Sequence, residues 1–359
     1  MKRSSIFSFS TLSGVPRIPA PAWLALGLFA AVRLVLLCSS DAFLPIPESE
    51  LQQLYVTNEL RYRAEDSPHP RIIVAGTSRL GILPADGIAR SVGCEPDDVA
   101  NYALSGNTFW RTLVFFRRNP GILRDADVVV FDLLPFQLHQ SELTAGADEL
   151  VLRMATLDER LRLPAWKDRG AALADVVIPL WSERHSAAGW FSGFRLLDAD
   201  AQQRFDGFVQ LAHEARAYRE ELRTERPRSI DLDAAMEYYA PASAMSPLEV
   251  HAVQDLIDVI PDTCTLLFVW LPVYPPFAGR LEQTPPEQSC YEAFKSFMLE
   301  VEHPRVKVLW ASNAEVSAAN PEAAFTEDDF TDIVHYTDSG IGKVCGLLVS
   351  AIQERGSSR

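Results

Sequence analysis

What most constrains this chain is a local order that repeats: a short apolar run, a polar loop, then a helical segment. Residues 71–76 read Arg-Ile-Ile-Val-Ala-Gly, a β-branched run closed by glycine, which predicts a short buried strand. Thr77-Ser78-Arg79 follows as a polar turn, and 80–92 has a helical pattern interrupted at Pro84. A second strand is expected at 98–104. It ends in Ser105-Gly106-Asn107-Thr108, and a helix at 109–118 stops before Pro120. The third and clearest strand is 126–134, ended by Pro135. Strands alternating with helices imply βαβ units and a parallel sheet, hence an α/β fold.

The alternation lapses after the third strand. Residues from about 138 to 247 read as a helical insertion, with amphipathic stretches at 148–163 and 201–226. In the second, Phe205, Phe208, Val209, Leu211, Ala212 and Tyr218 are spaced along a helix with charges between them. Trp166, Trp181 and Trp190 punctuate the region. The α/β order then resumes with a helix at 247–260, a strand at 263–271, a helix at 290–301, a strand at 306–310 and a last helix at 341–353.

The N-terminus has a separate character. Residues 1–20 carry Lys2, Arg3 and Arg17 and no acid, as a cytoplasmic tail would. Residues 21–40 are almost wholly apolar and approach the roughly 20 residues that a bilayer span requires. Arg33 lies near the outer end, where snorkelling lowers its cost. Basic residues before the span and acids after it (Asp41, Glu48, Glu50) predict the N-terminus inside and residues 70–359 outside the cytoplasm. The expectation is a single-pass protein of the inner (plasma) membrane whose main domain is periplasmic or extracellular. Residues 41–69 serve as stalk helix and linker. The alternative is a signal peptide cut near Ser40. In an oxidising compartment Cys264 and Cys290, which flank one strand-and-loop unit, either pair or remain as two buried thiols.

The net charge of −15 argues against nucleic acid as a partner. No CxxC pair or other zinc-type spacing occurs, so no metal is expected, and no cofactor is implied.

Open parallel sheets bind ligands outside the carboxyl ends of their strands. Three polar segments fall at such ends: Gly76-Thr77-Ser78, Ser105-Gly106-Asn107 and Asp332-Ile333-Val334-His335. An acid three residues before a histidine can hold its imidazole in one tautomer and stabilise the imidazolium. A serine hydroxyl becomes a useful nucleophile when such a base removes its proton. Ser78, His335 and Asp332 are therefore the candidate catalytic residues. The N–H groups of Ser78 and Gly106 are the candidate oxyanion donors. Asp132, inside the third strand, is expected to bond a neighbouring loop. Arg79 is expected in a surface salt bridge, with binding of an anionic substrate group as its alternative.

These segments resemble the conserved blocks of the SGNH (GDSL-type) hydrolase superfamily. Gly76-Thr77-Ser78 resembles the first block, in the Gly-Ser-Ser-Arg form of membrane-anchored bacterial members. Asn101 to Thr108 resembles the second block, and Phe330-x-Asp332-x-x-His335-x4-Gly340 the last. The resemblance spans roughly 70–135 and 260–355. It implies a flavodoxin-like three-layer fold carrying a serine esterase or O-acyltransferase. The third block departs from the pattern: Phe136 stands where the family has its oxyanion asparagine, which leaves Asn107, Gln137 or an insertion residue as substitute donors. Anchored relatives of this type include polysaccharide O-acetyltransferases. The resemblance thus implies an acyl-ester donor, a polysaccharide acceptor of the envelope and a membrane-bound O-acyltransferase partner. The alternatives are a non-catalytic scaffold of a polysaccharide-modifying complex and a lipase-like esterase.

Overall fold

The computed structural model describes residues 69–104, 106–138 and 230–353, with isolated positions at 21, 24, 27–28, 157–162, 166, 169–170 and 173. Five strands form one sheet in the order β2-β1-β3-β4-β5: β1 (Ile72–Ala75), β2 (Val99–Asn101), β3 (Val128–Asp132), β4 (Thr265–Trp270) and β5 (Val306–Trp310). Every neighbouring pair is parallel. This α/β architecture has the strand order of flavodoxin-like folds, in which connections leave β1 in one direction and β3 in the other.

All five residues of β3 are buried because both faces of the strand are covered, which explains the apolar run of the first four, Val128 to Phe131, ahead of Asp132. On one face Ile73, Val129, Phe131, Leu266 and Phe268 join α3 (Phe109–Arg118, after α1 Ser78–Gly81 and α2 Ala85–Val92) in the larger core. A short helix, α4 (Leu157–Leu161), precedes α5 (Leu232–Tyr239), α6 (Pro247–Val259), α7 (Pro275–Gln283) and α8 (Tyr291–Leu299), and these last four also contribute to that core. Phe109 stacks on Phe131 at 4.7 Å, a contact worth about 0.5–1.5 kcal/mol beyond simple burial. On the opposite face Ile72, Val74, Val128, Val130, Leu267 and Val269 pack against α1, α2, α9 (Asn313–Ala319) and α10 (Asp338–Gln353). Three layers result.

The expected helix at 109–118 matches α3, and Thr108 caps it by accepting the Arg111 N–H. The expected strand at 98–104 is shorter as a ladder, Val99–Asn101. The chain nevertheless keeps following β1, since the Tyr102 and Leu104 N–H groups donate to Val74 O (2.7 Å) and Gly76 O (2.9 Å). The helical pattern at 80–92 divides at Pro84 into α1 and α2. Cys264 and Cys290 are both buried and no disulfide joins them, so of the two readings that of two buried thiols describes them.

Several expectations fall outside the described residues: the cytoplasmic tail, all but four positions of the 21–40 span, the stalk, Ser105, Trp181, Trp190 and most of the 138–247 insertion. Among the described residues no helix is long and apolar enough to cross a membrane. Arg162, just past α4, shares Asp255 of α6 with Arg117 of α3, both at 3.0 Å.

Candidate active site

β1 ends against a carboxylate. Gly76 has φ +111°, and a Cβ there would lie 2.1 Å from Asp132 Oδ1. Only glycine lets the chain turn this close to the end of β3. Asp132 Oδ1 then accepts the Thr77 N–H at 2.6 Å and Oδ2 accepts the Thr77 hydroxyl at 2.5 Å. Thr77 passes the constraint on by capping α1, its Oγ1 accepting the Arg79 N–H at 3.3 Å. Ser78, the first residue of α1, is thereby held at the carboxyl edge of the sheet where β1 adjoins β3.

The second half of the site comes from the segment before α10. Phe330 and Tyr336 form an antiparallel bridge, and the Thr331 N–H donates to His335 O at 3.0 Å, closing a tight loop. Asp332 Oδ1 accepts the N–H groups of Val334 and His335, each at 2.8 Å, while Oδ2 lies 2.6 Å from His335 Nδ1. The Ile333 carbonyl accepts the Tyr274 N–H at 2.9 Å, fastening the loop to the segment after β4. Behind it Gly340, in the first turn of α10, lies so close to Asp329 that an added Cβ would meet that residue's carbonyl oxygen at 2.2 Å.

These two halves meet. Ser78 Oγ lies 2.6 Å from His335 Nε2, across 257 residues of chain. With Nδ1–H donating to Asp332, Nε2 is left to accept the serine proton. Burial works to raise the Asp332 carboxyl. The hydrogen bond and charge of His335 and the two backbone N–H groups outweigh it, and the carboxyl settles at about 2. It is therefore ionised at neutral pH and can stabilise an imidazolium. Asp132 behaves oppositely: complete burial raises its carboxyl, against the opposing charge of Arg79 and the Thr77 hydrogen bonds. Its place is structural, as the bonds to the neighbouring Thr77 loop require.

The other expected residues divide. Gly106 adopts φ +60°, and its N–H, like that of Ser78, has no acceptor among the described residues. Asn107 and Gln137 are different. The Asn107 amide donates to Thr112 Oγ1 (2.9 Å) and accepts the Thr108 N–H (3.1 Å), so it organises the start of α3. Gln137, fully buried, donates to Asp132 O (3.1 Å) and accepts the Leu134 N–H (2.6 Å), closing the turn after β3. Both side chains are committed to their own loops. Phe136 is buried too and packs against the rings of Tyr238 and Tyr239.

Arg79 overturns both sequence-based readings, since it is neither at the surface nor open to an anion. It is 0% exposed and donates to Leu133 O (3.3 Å), Leu271 O (2.7 Å), Pro272 O (2.8 Å) and the Tyr336 hydroxyl (2.7 Å). The available signal was its setting, between a buried strand and the apolar Leu80, Ile82 and Leu83. His69, His251 and His303 bond local partners, namely Asp125, Pro247 O and the Arg305 N–H.

A hydroxyl, an imidazole and an ionised carboxylate in series can deliver an alkoxide-like nucleophile and store its proton. The N–H groups of Ser78 and Gly106, which follow β1 and β2, have no acceptor among the described residues. Among the described residues no cluster of three or more His, Cys, Asp or Glu side chains is placed to hold a metal ion. No protein-family model matches the chain, and no curated protein matches it at a significant level.

Proposed function

We propose that this chain is a membrane-anchored, extracytoplasmic SGNH-type acyl-ester enzyme that transfers an acetyl group to, or hydrolyses esters on, an envelope polysaccharide. One observation carries the reading: Ser78 Oγ, His335 and Asp332 stand in hydrogen-bond series at the carboxyl edge of the sheet. The anchor at 21–40, the helical insertion and the polysaccharide acceptor rest on the sequence and on the family resemblance. So does a membrane-bound O-acyltransferase as partner.

In this mechanism Ser78 Oγ bonds to the ester carbonyl carbon as His335 Nε2 takes its proton. The carbonyl π electrons move onto oxygen, where the N–H groups of Ser78 and Gly106 receive them. Collapse breaks the bond to the leaving alcohol, which takes the proton from His335 and leaves an acyl-serine. A sugar hydroxyl or water then gives its proton to His335 and attacks the acyl carbon. The second collapse returns that proton to Ser78. Asp332 stays ionised throughout. Loss of one oxyanion donor costs roughly 10²–10³ in rate in a well-characterised protease, so turnover here is expected to be slow relative to three-donor relatives.

The proposal predicts that Ser78→Ala abolishes turnover of p-nitrophenyl acetate while the thermal melt is kept. Unchanged turnover in that variant would refute it. A second reading, a non-catalytic scaffold of a polysaccharide-modifying complex, is favoured by the burial of Phe136, Asn107 and Gln137, none of which offers a third donor. A fluorophosphonate probe separates the two, because only an activated serine reacts. Labelling at Ser78 supports the enzyme, and its absence supports the scaffold.

A further inference from the structure

Burying a guanidinium is costly unless its hydrogen bonds are met and its charge is balanced. Arg79 is fully buried and its Nε–H has no hydrogen-bond partner, and the nearby Asp132 carboxyl, on which its charge acts, spends its own bonds on Thr77. A leucine or methionine would fill the space at lower cost. What the guanidinium adds is a flat fork of donors reaching several acceptors at fixed angles. Those acceptors lie on separate elements. Nη1 reaches the Leu133 carbonyl just after β3. Nη2 shares its hydrogens among the Leu271 and Pro272 carbonyls after β4 and the Tyr336 hydroxyl. Tyr336 in turn donates to the same Pro272 carbonyl at 2.7 Å. Burial pushes its hydroxyl up to about 12, against the pull of Arg79, so it remains a donor. Arg79 adjoins Ser78 and Tyr336 adjoins His335. The Pro272 carbonyl is thus the common anchor of the two halves of the site.

We propose that Arg79 is the positioning residue of this site: it sets the Ser78–His335 contact by fastening the Ser78 turn and the His335 loop to the same carbonyls. The role rests on Ser78 and His335 being the reacting pair of the proposed function. The structural claim is separable from it, because the contact is observable without turnover. Geometry, not charge alone, is what Arg79 supplies, so lysine cannot replace it. A single ammonium cannot present a planar fork to Leu133 O and Pro272 O together.

The test uses the full chain with ¹⁵N-labelled histidine and the variants Ser78→Ala, Arg79→Lys, Arg79→Met and Tyr336→Phe. In the wild type the serine hydroxyl bonds His335 Nε2, and Ser78→Ala shows the Nε2 shift when that bond is absent. Arg79→Lys and Arg79→Met are expected to move Nε2 toward the Ser78→Ala position, and Tyr336→Phe to move it part of the way. Should Arg79→Met not fold, Arg79→Lys and Tyr336→Phe carry the comparison. In parallel, fluorophosphonate labelling of Arg79→Lys is expected to slow about 10-fold or more, with KM for p-nitrophenyl acetate within about two-fold of wild type. A wild-type Nε2 shift in folded Arg79→Lys would overturn the positioning role, even with a lowered melting temperature. A wild-type protein that never reacts with the probe refutes the enzymatic reading instead, while the Nε2 shifts still decide the role of Arg79.

Discussion

Replacing Gly76 with alanine tests the tightest point of the structure. Two costs add. The backbone at φ +111° is one that L side chains rarely adopt, and holding it costs about 1–3 kcal/mol. The new methyl would also lie 2.1 Å from Asp132 Oδ1 and 3.0 Å from the Asp132 amide nitrogen, so the carboxylate must move. Moving it breaks at least one of its bonds to Thr77, and a hydrogen bond to a charged group is worth about 1.5–3 kcal/mol. The expected loss is about 3–5 kcal/mol. Gly93→Ala is the control, since Gly93 has φ +83° with nothing within 4 Å of its Cβ site. Only backbone strain applies there, about 1–2 kcal/mol. Urea unfolding of both variants with matched m-values gives the comparison directly. Because Thr77 caps α1, fluorophosphonate labelling of Ser78 should also slow in Gly76→Ala and stay unchanged in Gly93→Ala. Equal losses of stability in the two variants would show that Asp132 yields freely and that the Gly76–Asp132 contact does not hold the turn.

Two further substitutions probe the carboxylates. Asp132 has a folded-state carboxyl raised by burial, so its ionisation opposes folding: stability is greatest below the ordinary carboxylate value of about 4 and declines as pH rises from there through the raised value. Asp132→Asn keeps an acceptor for the Thr77 N–H and should flatten that decline in melts taken from pH 4 to 8; a decline as steep as wild type would rule Asp132 out as its source. Asp332 has a depressed carboxyl, at about 2, so its contribution is complete above the ordinary value and disappears as pH falls through about 2. The stability gap between wild type and Asp332→Asn should therefore narrow from pH 5 to 2. Ester turnover at neutral pH should fall by up to about 10⁴, as when the tautomer control of a serine protease is lost; a loss under about tenfold would count against that control.

The parallel sheet was legible because strands covered on both faces carry apolar runs, Val128 to Phe131 in β3 and Leu266 to Trp270 in β4. Ser78 and Gly106 were legible because each follows the end of a strand, where a polar loop has no core to fill; Asp332 and His335, which lie in a loop before the last helix rather than at a strand end, were legible from their i, i+3 spacing. Arg79 was missed for the converse reason. A charged residue is assigned to the surface by default, and only the convergence of β3, β4 and Tyr336 supplies enough acceptors to bury it. Asn107 and Gln137 misled because an amide near a strand end has the right chemistry for an oxyanion donor. Their local bonds to Thr112 Oγ1 and Asp132 O depend on side-chain direction, which spacing does not encode. The ends of β2 were also harder to place, since that strand lies at the sheet edge and keeps only part of a ladder.

The 257-residue separation of Ser78 and His335 has a consequence for how the protein is made. The serine emerges from the ribosome with the first strand, and its base only after the last strand has been synthesised. Until β4 and β5 have joined the sheet, the hydroxyl faces no imidazole and has the reactivity of any other serine. A nascent, truncated or proteolytically shortened chain lacking residues 330–340 thus carries an inert Ser78. On the proposed function, competence to activate that serine is a property of the finished sheet, and a reagent specific for the activated hydroxyl would double as a sensor of complete folding.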